Sequence, residues 1–402
     1  MPDPTRDPPR DPGGHRPSPA SVDILRRLIG FDTTSRNSNL ELIDFIRDSL
    51  RDHGIESHLY RDDSSRKANL YATLGANQSS GGLMLSGHTD VVPVDDQDWQ
   101  SDPFALAERD AKLYGRGACD MKGFIAVALS LVPHFQETTR GRPVHLGFTF
   151  DEEVGCIGAG QLAEQLRGMA IRPAYCVIGE PTGMRVVDGH KGRYAMRCHV
   201  HGVAGHSAYP EQACNAVETA ADMIAYLRQM ARRLRNDGPH DPAFDPPHST
   251  MQTGTIQGGT ALNIVPRHCS FEFEIRNLPG QDPLALVKEL KDFAARQLLP
   301  DMQRSAATAG IDFEEISHVP GLLPDRDHDF VKSVLAASGG NATHKVSFGT
   351  EAGLYQRSGV PTVVCGPGDI AQAHRPDEFV ALDQLARCET FLRRMAKSIC
   401  GA

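Results

Sequence analysis

The chain has 402 residues, more than one hydrophobic core usually serves, so two domains are expected. With 51 acidic against 42 basic side chains and a formal net charge of -9, it lacks the basic surplus of a general nucleic-acid binder. No run approaches the roughly 18 consecutive apolar residues that span a bilayer, and nine single cysteines without a CxxC pair read as reduced thiols in a cytoplasm.

The opening MPDPTRDPPRDPGGHRPSP has no apolar core for a secretory signal, and its composition cannot bury enough surface to offset the entropy of ordering. Residues 1–20 are therefore expected to be a disordered tail. Beyond Pro19, Val22, Leu25, Leu28 and Ile29 form one helical stripe with Ser21 as its cap, and Leu40, Ile43, Ile46 and Leu50 repeat the period. NLYATLG and GGLMLSGHTD then read as strands, KGFIAVALSLVPHF as a buried helix, VHLGFTFDEE as a strand, GAGQLAEQL as a helix and AYCVIGEPT as a strand. Short apolar strands alternating with helices predict an α/β architecture with a central mixed, largely parallel sheet.

After Gly189 the pattern changes. KGRYAMRCHVHGV alternates, a long amphipathic helix covers NAVETAADMIAYLRQMARRL, TMQTGTIQGG and RHCSFEFEIRNLP alternate again, and LALVKELKDFAARQL and IDFEEISHV supply a helix and a strand. This strand-helix-strand-strand-helix-strand order is that of a small α+β sandwich, read as an insertion over 190–317 between the parts 21–189 and 318–402 of the α/β unit. FVKSVLAASG, VPTVVCGPG and a final helix ending near Ile399 resume the α/β pattern.

Five segments place acids or histidines at or after apparent strand ends, the edge of an open α/β sheet where ligands gather. In SGHTD, His88 and Asp90 lie two apart, so one can bind a metal while the other accepts the proton of the second ring nitrogen; a polar turn is the plainer reading. In GRGACDMKG, glycines crowd Asp120 at the start of a helix, where it is either presented to a ligand or a simple N-cap. FDEEVG ends a hydrophobic strand with three carboxylates, which repel unless a cation or solvent compensates; Glu153 as a ligand and Glu152 as a base would divide the work. Glu180 in GEPT and His374 in QAHRP are each, alone, more often surface than site. Taken together, the set supplies enough acids for two divalent ions, and its carboxylate-rich, thiolate-free donors suit zinc, with cobalt or manganese as substitutes.

SGHTDVVPV, YGRGACDMKG, DEEVGCIGA, GEPT and QAHRPDE, in this order from about residue 20 to the end, resemble the co-catalytic zinc aminoacylase/carboxypeptidase family of amidohydrolases. The resemblance implies a zinc-peptidase-like catalytic domain with an inserted lid and dimerisation domain. It also implies two Zn2+ ions bridged by Asp120, one completed by His88 and Glu180 and the other by Glu153 and His374. Asp90 would orient His88, Glu152 would be the general base, and the Asp120–Met121 peptide would be cis. In GVAGHSA, His206 would reach the active site of a partner subunit, so a homodimer is expected. Asn263 and Arg276 fall on family substrate-binding positions. VSFGTEAGLY and CGPGDIAQAHRPDEFV resemble most the branch that deacetylates N2-acetyl-L-ornithine. Glu351 beside the pocket could pair the distal ammonium, a helix-start carboxylate near the dipole being the rival reading. The expected partner is thus a small N-acyl amino acid, with neither nucleic acid nor membrane. Alternatives are the desuccinylase branch, an aminopeptidase of similar fold, and a catalytically silent binding protein on this fold.

Overall fold

The computed structural model describes residues 16–75, 81–139, 141–324 and 329–401. Its first helix, Pro19–Ile29, is capped by Ser18, whose side chain accepts from the Ser21 amide, while Pro19 occupies a position where a missing N–H is harmless. Ser21, expected as the cap, is instead buried one turn in, with its hydroxyl against Ser130 and Glu389. Residues 19 and 20 are therefore helical rather than part of a tail, whose first fifteen residues lie outside those described. The long apolar helix also divides, into Lys122–Ser130 and Val132–Thr138, because Pro133 can only open a new helical turn.

The larger sheet has eight strands in the order 57–61, 68–74, 144–149, 83–88, 175–181, 362–366, 187–190 and 344–346. Four of its seven neighbouring pairs are parallel and three antiparallel. Strands Leu83–His88 and Val144–Thr149 are buried at every residue, as strands covered on both faces must be. The alternation sorts them: Leu83 and Leu85 pack with Leu25, Phe124 and Leu385 from helices on one face, while Met84 between them packs with Leu162 and Tyr355 on the other.

A second sheet, wholly antiparallel, runs 250–258, 268–277, 192–201, 310–319. Met196, Cys198, Phe271 and Phe273 on one face form a separate core with Met223, Leu227 and Leu290 from helices Ala216–Asp237 and Pro283–Phe293. Asn215 caps the longer helix by accepting from the amides of Val217 and Glu218. A third, small sheet pairs 379–381 with 112–114 and 112–114 with 107–109. Among the described residues no helix is long and apolar enough to cross a membrane.

Candidate metal centre

Three parallel strands end side by side, Leu83–His88 lying between Val144–Thr149 and Tyr175–Pro181. Their ends bring His88, the Asp151–Glu153 turn and Glu180 to one rim. Glu180 reaches it because Gly179 lets the strand lie on the Phe124 ring: a Cβ there would come within 1.9 Å of Phe124 Cγ. Asp120 arrives from the loop before helix Lys122–Ser130, where Gly117 turns at φ +81° and the Asp120–Met121 peptide is cis. His374 comes from the loop before strand Phe379–Ala381, with its own backbone at φ +64°.

These side chains converge. His88 Nε2 lies 2.9 Å from Asp120 Oδ1 and 3.7 Å from Glu180 Oε1, and His374 Nε2 lies 3.4 Å from Asp120 Oδ2 and 3.1 Å from Glu153 Oε2. Asp120 thus faces an imidazole with each oxygen, the disposition of a shared ligand. Two triads, His88–Glu152–Glu180 and His88–Asp120–Glu153, keep their ligand atoms within 4.8 Å of one another. His88, Asp120 and Glu180 are buried, whereas the His374 side chain is 54% exposed and closes the cluster from the solvent side.

The three consecutive acids do not share one fate. Asp151 is neutralised by a salt bridge with Lys67, leaving Glu152 and Glu153 to face the cluster. Asp90 differs in detail from the expectation. His88 Nδ1 lies 2.9 Å from the Asp90 carbonyl oxygen but 3.6 Å from its carboxylate. The strand ends at His88, so the two-residue alternation lapses before Asp90. Its carboxylate instead accepts from the amides of Glu152 at 3.0 Å and Glu153 at 3.3 Å and from the Ser35 hydroxyl at 2.7 Å. Asp90 therefore steadies both His88 and the turn that carries the two glutamates.

The electrostatics are those of an acid-rich pocket made for cations. Burial first, then the charges of Glu153 and Asp120, push Glu152 up to about 8. Burial and Asp120 likewise raise Glu153 and, further, Glu180. Asp120 goes the other way: burial alone would raise it, but hydrogen bonds with His374 and His88 hold it below the usual carboxylate range. Hydrogen bonds with Asp120 and Glu153 lift His374 to about 10. Glu153 Oε1 is buried without a hydrogen-bond partner, an orphan acceptor that a cation would satisfy. Three carboxylates and two imidazoles, with Glu152 beside them, therefore fit a pair of divalent ions, and the N/O donor set fits zinc.

The remaining expected residues lie elsewhere. His206 and Asn263 are exposed neighbours beside the second sheet, on strands 205–206 and just before 264–265; the Ser207 amide donates to the Asn263 carbonyl at 3.2 Å. His206 Nδ1 accepts from the Ala208 amide, and among the described residues no hydrogen bond or ion pair joins either residue to the rim. Arg276 is the last residue but one of strand His268–Asn277 and is held by Glu274 at 3.3 Å. Glu351 is fully buried, its carboxylate accepting from Thr149 and, at 3.4 Å, from Ser86, side chains of strands Val144–Thr149 and Leu83–His88. Burial pushes Glu351 up to about 7. Sequence reasoning gave no role to Lys67, Arg116 or Glu378, whose partners lie far away in the chain; Arg116 within YGRGACDMKG and Glu378 within QAHRPDE had only their neighbourhoods marked.

The family model for peptidase family M20/M25/M40 matches residues 84–398. An acetylornithine deacetylase of Myxococcus xanthus is 38% identical over 388 residues, covering 95% of this chain and 98% of that protein. One of Photorhabdus laumondii is 34% identical over 389 residues, with the same coverage of each. Among solved structures, an M20 family metallo-carboxypeptidase from Sulfolobus solfataricus superposes with a TM-score of 0.73 at 16% identity, over 94% of this chain and 98% of that one. A dinuclear metal binding peptidase from the M20 family of Bacillus subtilis gives 0.65 at 15% identity, over 94% and 97%. At those identities the structures speak for the fold alone, but the match of family model and relatives over nearly the whole length settles the wider kinship: the chain belongs to peptidase family M20/M25/M40.

Proposed function

We propose that this chain hydrolyses the acetyl amide of N2-acetyl-L-ornithine to L-ornithine and acetate, a step of arginine synthesis. The observation that carries the chemistry is the convergence of His88, Asp120, Glu153, Glu180 and His374, with Glu152 beside them, at one sheet rim. The substrate choice is supported by acetylornithine deacetylases 34–38% identical over about 95% of the chain.

In this reading Asp120 would serve two Zn2+ ions, His88 and Glu180 would hold one of them and Glu153 and His374 the other; Co2+ or Mn2+ would substitute. When bound, the ions supply Lewis-acid polarisation of the acyl carbonyl and lower the pKa of water. Glu152 accepts a proton from the attacking water and returns it to the departing amine nitrogen. Asp90 fixes the His88 ring through its carbonyl and anchors the Glu152 amide. Residues 190–317 act as a lid and as the joint of a homodimer, 21–189 and 318–402 as the catalytic unit. His206 and Asn263 then serve the partner's site, which accords with their exposure away from their own rim. The Arg276 guanidinium pairs the substrate α-carboxylate with its planar fork. In this reading the enzyme works in the cytoplasm, which its nine free, buried cysteines support.

The test is a panel of N-acyl amino acids offered to zinc-loaded and chelator-stripped protein. Rapid cleavage of acetylornithine that is lost on stripping and regained with zinc is expected. Cleavage of N-succinyl-diaminopimelate without acetylornithine would overturn the substrate and leave the centre standing; indifference to chelation would overturn both.

A further inference from the structure

Glu378 stands four residues beyond His374 and is 1% exposed. Its carboxylate is fully occupied. One oxygen accepts from the amides of Cys119 at 2.8 Å and Asp120 at 3.0 Å; the other accepts from the Gly117 amide at 3.0 Å and Arg116 Nη1 at 2.8 Å. Arg116 extends the contact by donating to the Arg375 carbonyl at 3.2 Å and Gln97 Oε1 at 2.5 Å, with its guanidinium 5.0 Å over the Trp99 ring. Gln97 Nε2 donates to the His374 carbonyl at 3.2 Å, which closes the circuit.

The two loops so joined leave neighbouring strands, Lys112–Tyr114 and Phe379–Ala381, and the ladder continues through a Gly115 amide to Glu378 carbonyl bond of 3.0 Å. Past that point neither loop has regular pairing to hold it, and His374 and Asp377 sit at φ +64° and +54°, where side-chain-bearing residues need outside support. Glu378 touches no ligand side chain; it grips the backbone of the loop that presents Asp120, from within the loop that presents His374.

We infer that Glu378 is a positioning residue that, with Arg116 and Gln97, clamps these two loops together and so sets the 3.4 Å approach of His374 Nε2 to Asp120 Oδ2. The inference deepens the ligand assignment proposed above and rests on it. One ion depends on that approach, the one shared by Asp120, Glu153 and His374. The other, taken by His88, Asp120 and Glu180, draws its remaining ligands from strand ends that the clamp does not touch.

The probes are zinc alone and solvent deuterium. Glu378→Gln keeps the size of the side chain but sets an NH2 donor against the donors of one pair, Gly117 and Arg116 or Cys119 and Asp120. In chelator-stripped protein the amides of Gly117, Cys119 and Asp120 should exchange at least about tenfold faster. In calorimetric titration, the binding step that His374→Ala abolishes should weaken about 10- to 100-fold, and the other step, which shares only Asp120 with the clamped loops, markedly less. A folded Glu378→Gln protein with wild-type exchange and both wild-type affinities overturns the clamp. Equal weakening of both steps also overturns it, since that describes general loosening. If Glu378→Gln does not fold, Gln97→Ala decides: it spares every Glu378 contact, should weaken the same step several-fold, and refutes the circuit if it does not. Absence of zinc binding by the wild-type protein would sink the ligand assignment instead, and amide exchange would then judge the clamp by itself.

Discussion

Replacing Glu152 with Gln separates a proton-transferring role from a ligand role, because the structure predicts opposite signs for rate and stability. The side chain makes a single hydrogen-bond contact, with Cys156 Sγ at 3.4 Å, while its amide is anchored by Asp90, so the turn should keep its shape in the variant. Loss of a general base typically costs about 10²- to 10⁴-fold in kcat, or about 3 to 5 kcal/mol of transition-state stabilisation, with KM little changed. Metal-free stability should move the other way. Burial, reinforced by Glu153 and Asp120, lifts Glu152 from 4.5 to about 8, so between those pH values the folded protein binds a proton that the unfolded chain has lost. Stability contributed by that proton is fully present below pH 4.5 and lost as pH rises through 8. Gln has no such titration. The Tm of chelator-stripped Glu152→Gln relative to wild type should therefore climb from pH 5 to pH 8 and level off above it.

The assay set is acetylornithine turnover, metal content by elemental analysis, and thermal melts of stripped protein across that pH range. Normal metal content with turnover down at least about 100-fold is the expected result. Turnover within a few-fold of wild type would refute the base. Loss of an ion with turnover would instead make Glu152 a ligand, an outcome with a structural basis in the His88–Glu152–Glu180 triad.

Three further outcomes can be checked. Gly179→Ala drives a methyl group to within 1.9 Å of Phe124 Cγ, so thermal unfolding should show a loss of about 1–3 kcal/mol, with weaker zinc retention because Glu180 follows directly; unchanged stability would contradict the close packing. In stripped wild-type protein, Glu351 at about 7 and His374 at about 10 are both raised by folding, so each loses its contribution as pH rises through its own value. The Tm gained on adding zinc should accordingly grow from pH 6 to pH 9, and a gain that shrinks over this range would contradict that assignment. His206→Ala should keep both ions and lose turnover, and mixing it with Glu152→Gln should restore activity through dimers that carry one intact site; mixtures as inactive as their parents would exclude a shared site.

The residues proposed as ligands were legible for a local reason. All but His374 stand at or shortly after the end of a hydrophobic strand or just before a helix, so the end of the apolar run marks the rim: LMLSGH gives His88, YCVIGEP gives Glu180, and VHLGFT ends three residues before Glu152. Patterns of that kind also foretold both large sheets and the helix order between them. They failed where an element is too short to have a period. The strands 107–109, 112–114 and 379–381 have three residues each, and nothing in their composition announces that they pair. Asp90 stands beside His88 as expected, but alternation could not give its contacts, because the strand has already ended at His88.

What stayed hidden shares one property: its partners are main-chain groups or single side chains far away in sequence. Lys67 meets Asp151 across 84 residues, and Glu378 meets the amides of Gly117, Cys119 and Asp120 across 258 to 261. A backbone amide has no identity in the sequence, so a carboxylate that binds three of them leaves no paired residue to search for. Such a group can be recognised only once the fold has closed. The placement matters for chemistry because a metal ligand tolerates little displacement: a loop free to drift by an ångström would present Asp120 and His374 correctly only part of the time. The ligands decide which ion can bind, but the rim keeps its shape through residues such as Glu378 and Asp90, whose carboxylates are spent on backbone amides. The separation of these two duties explains why the site's chemistry was readable before its geometry.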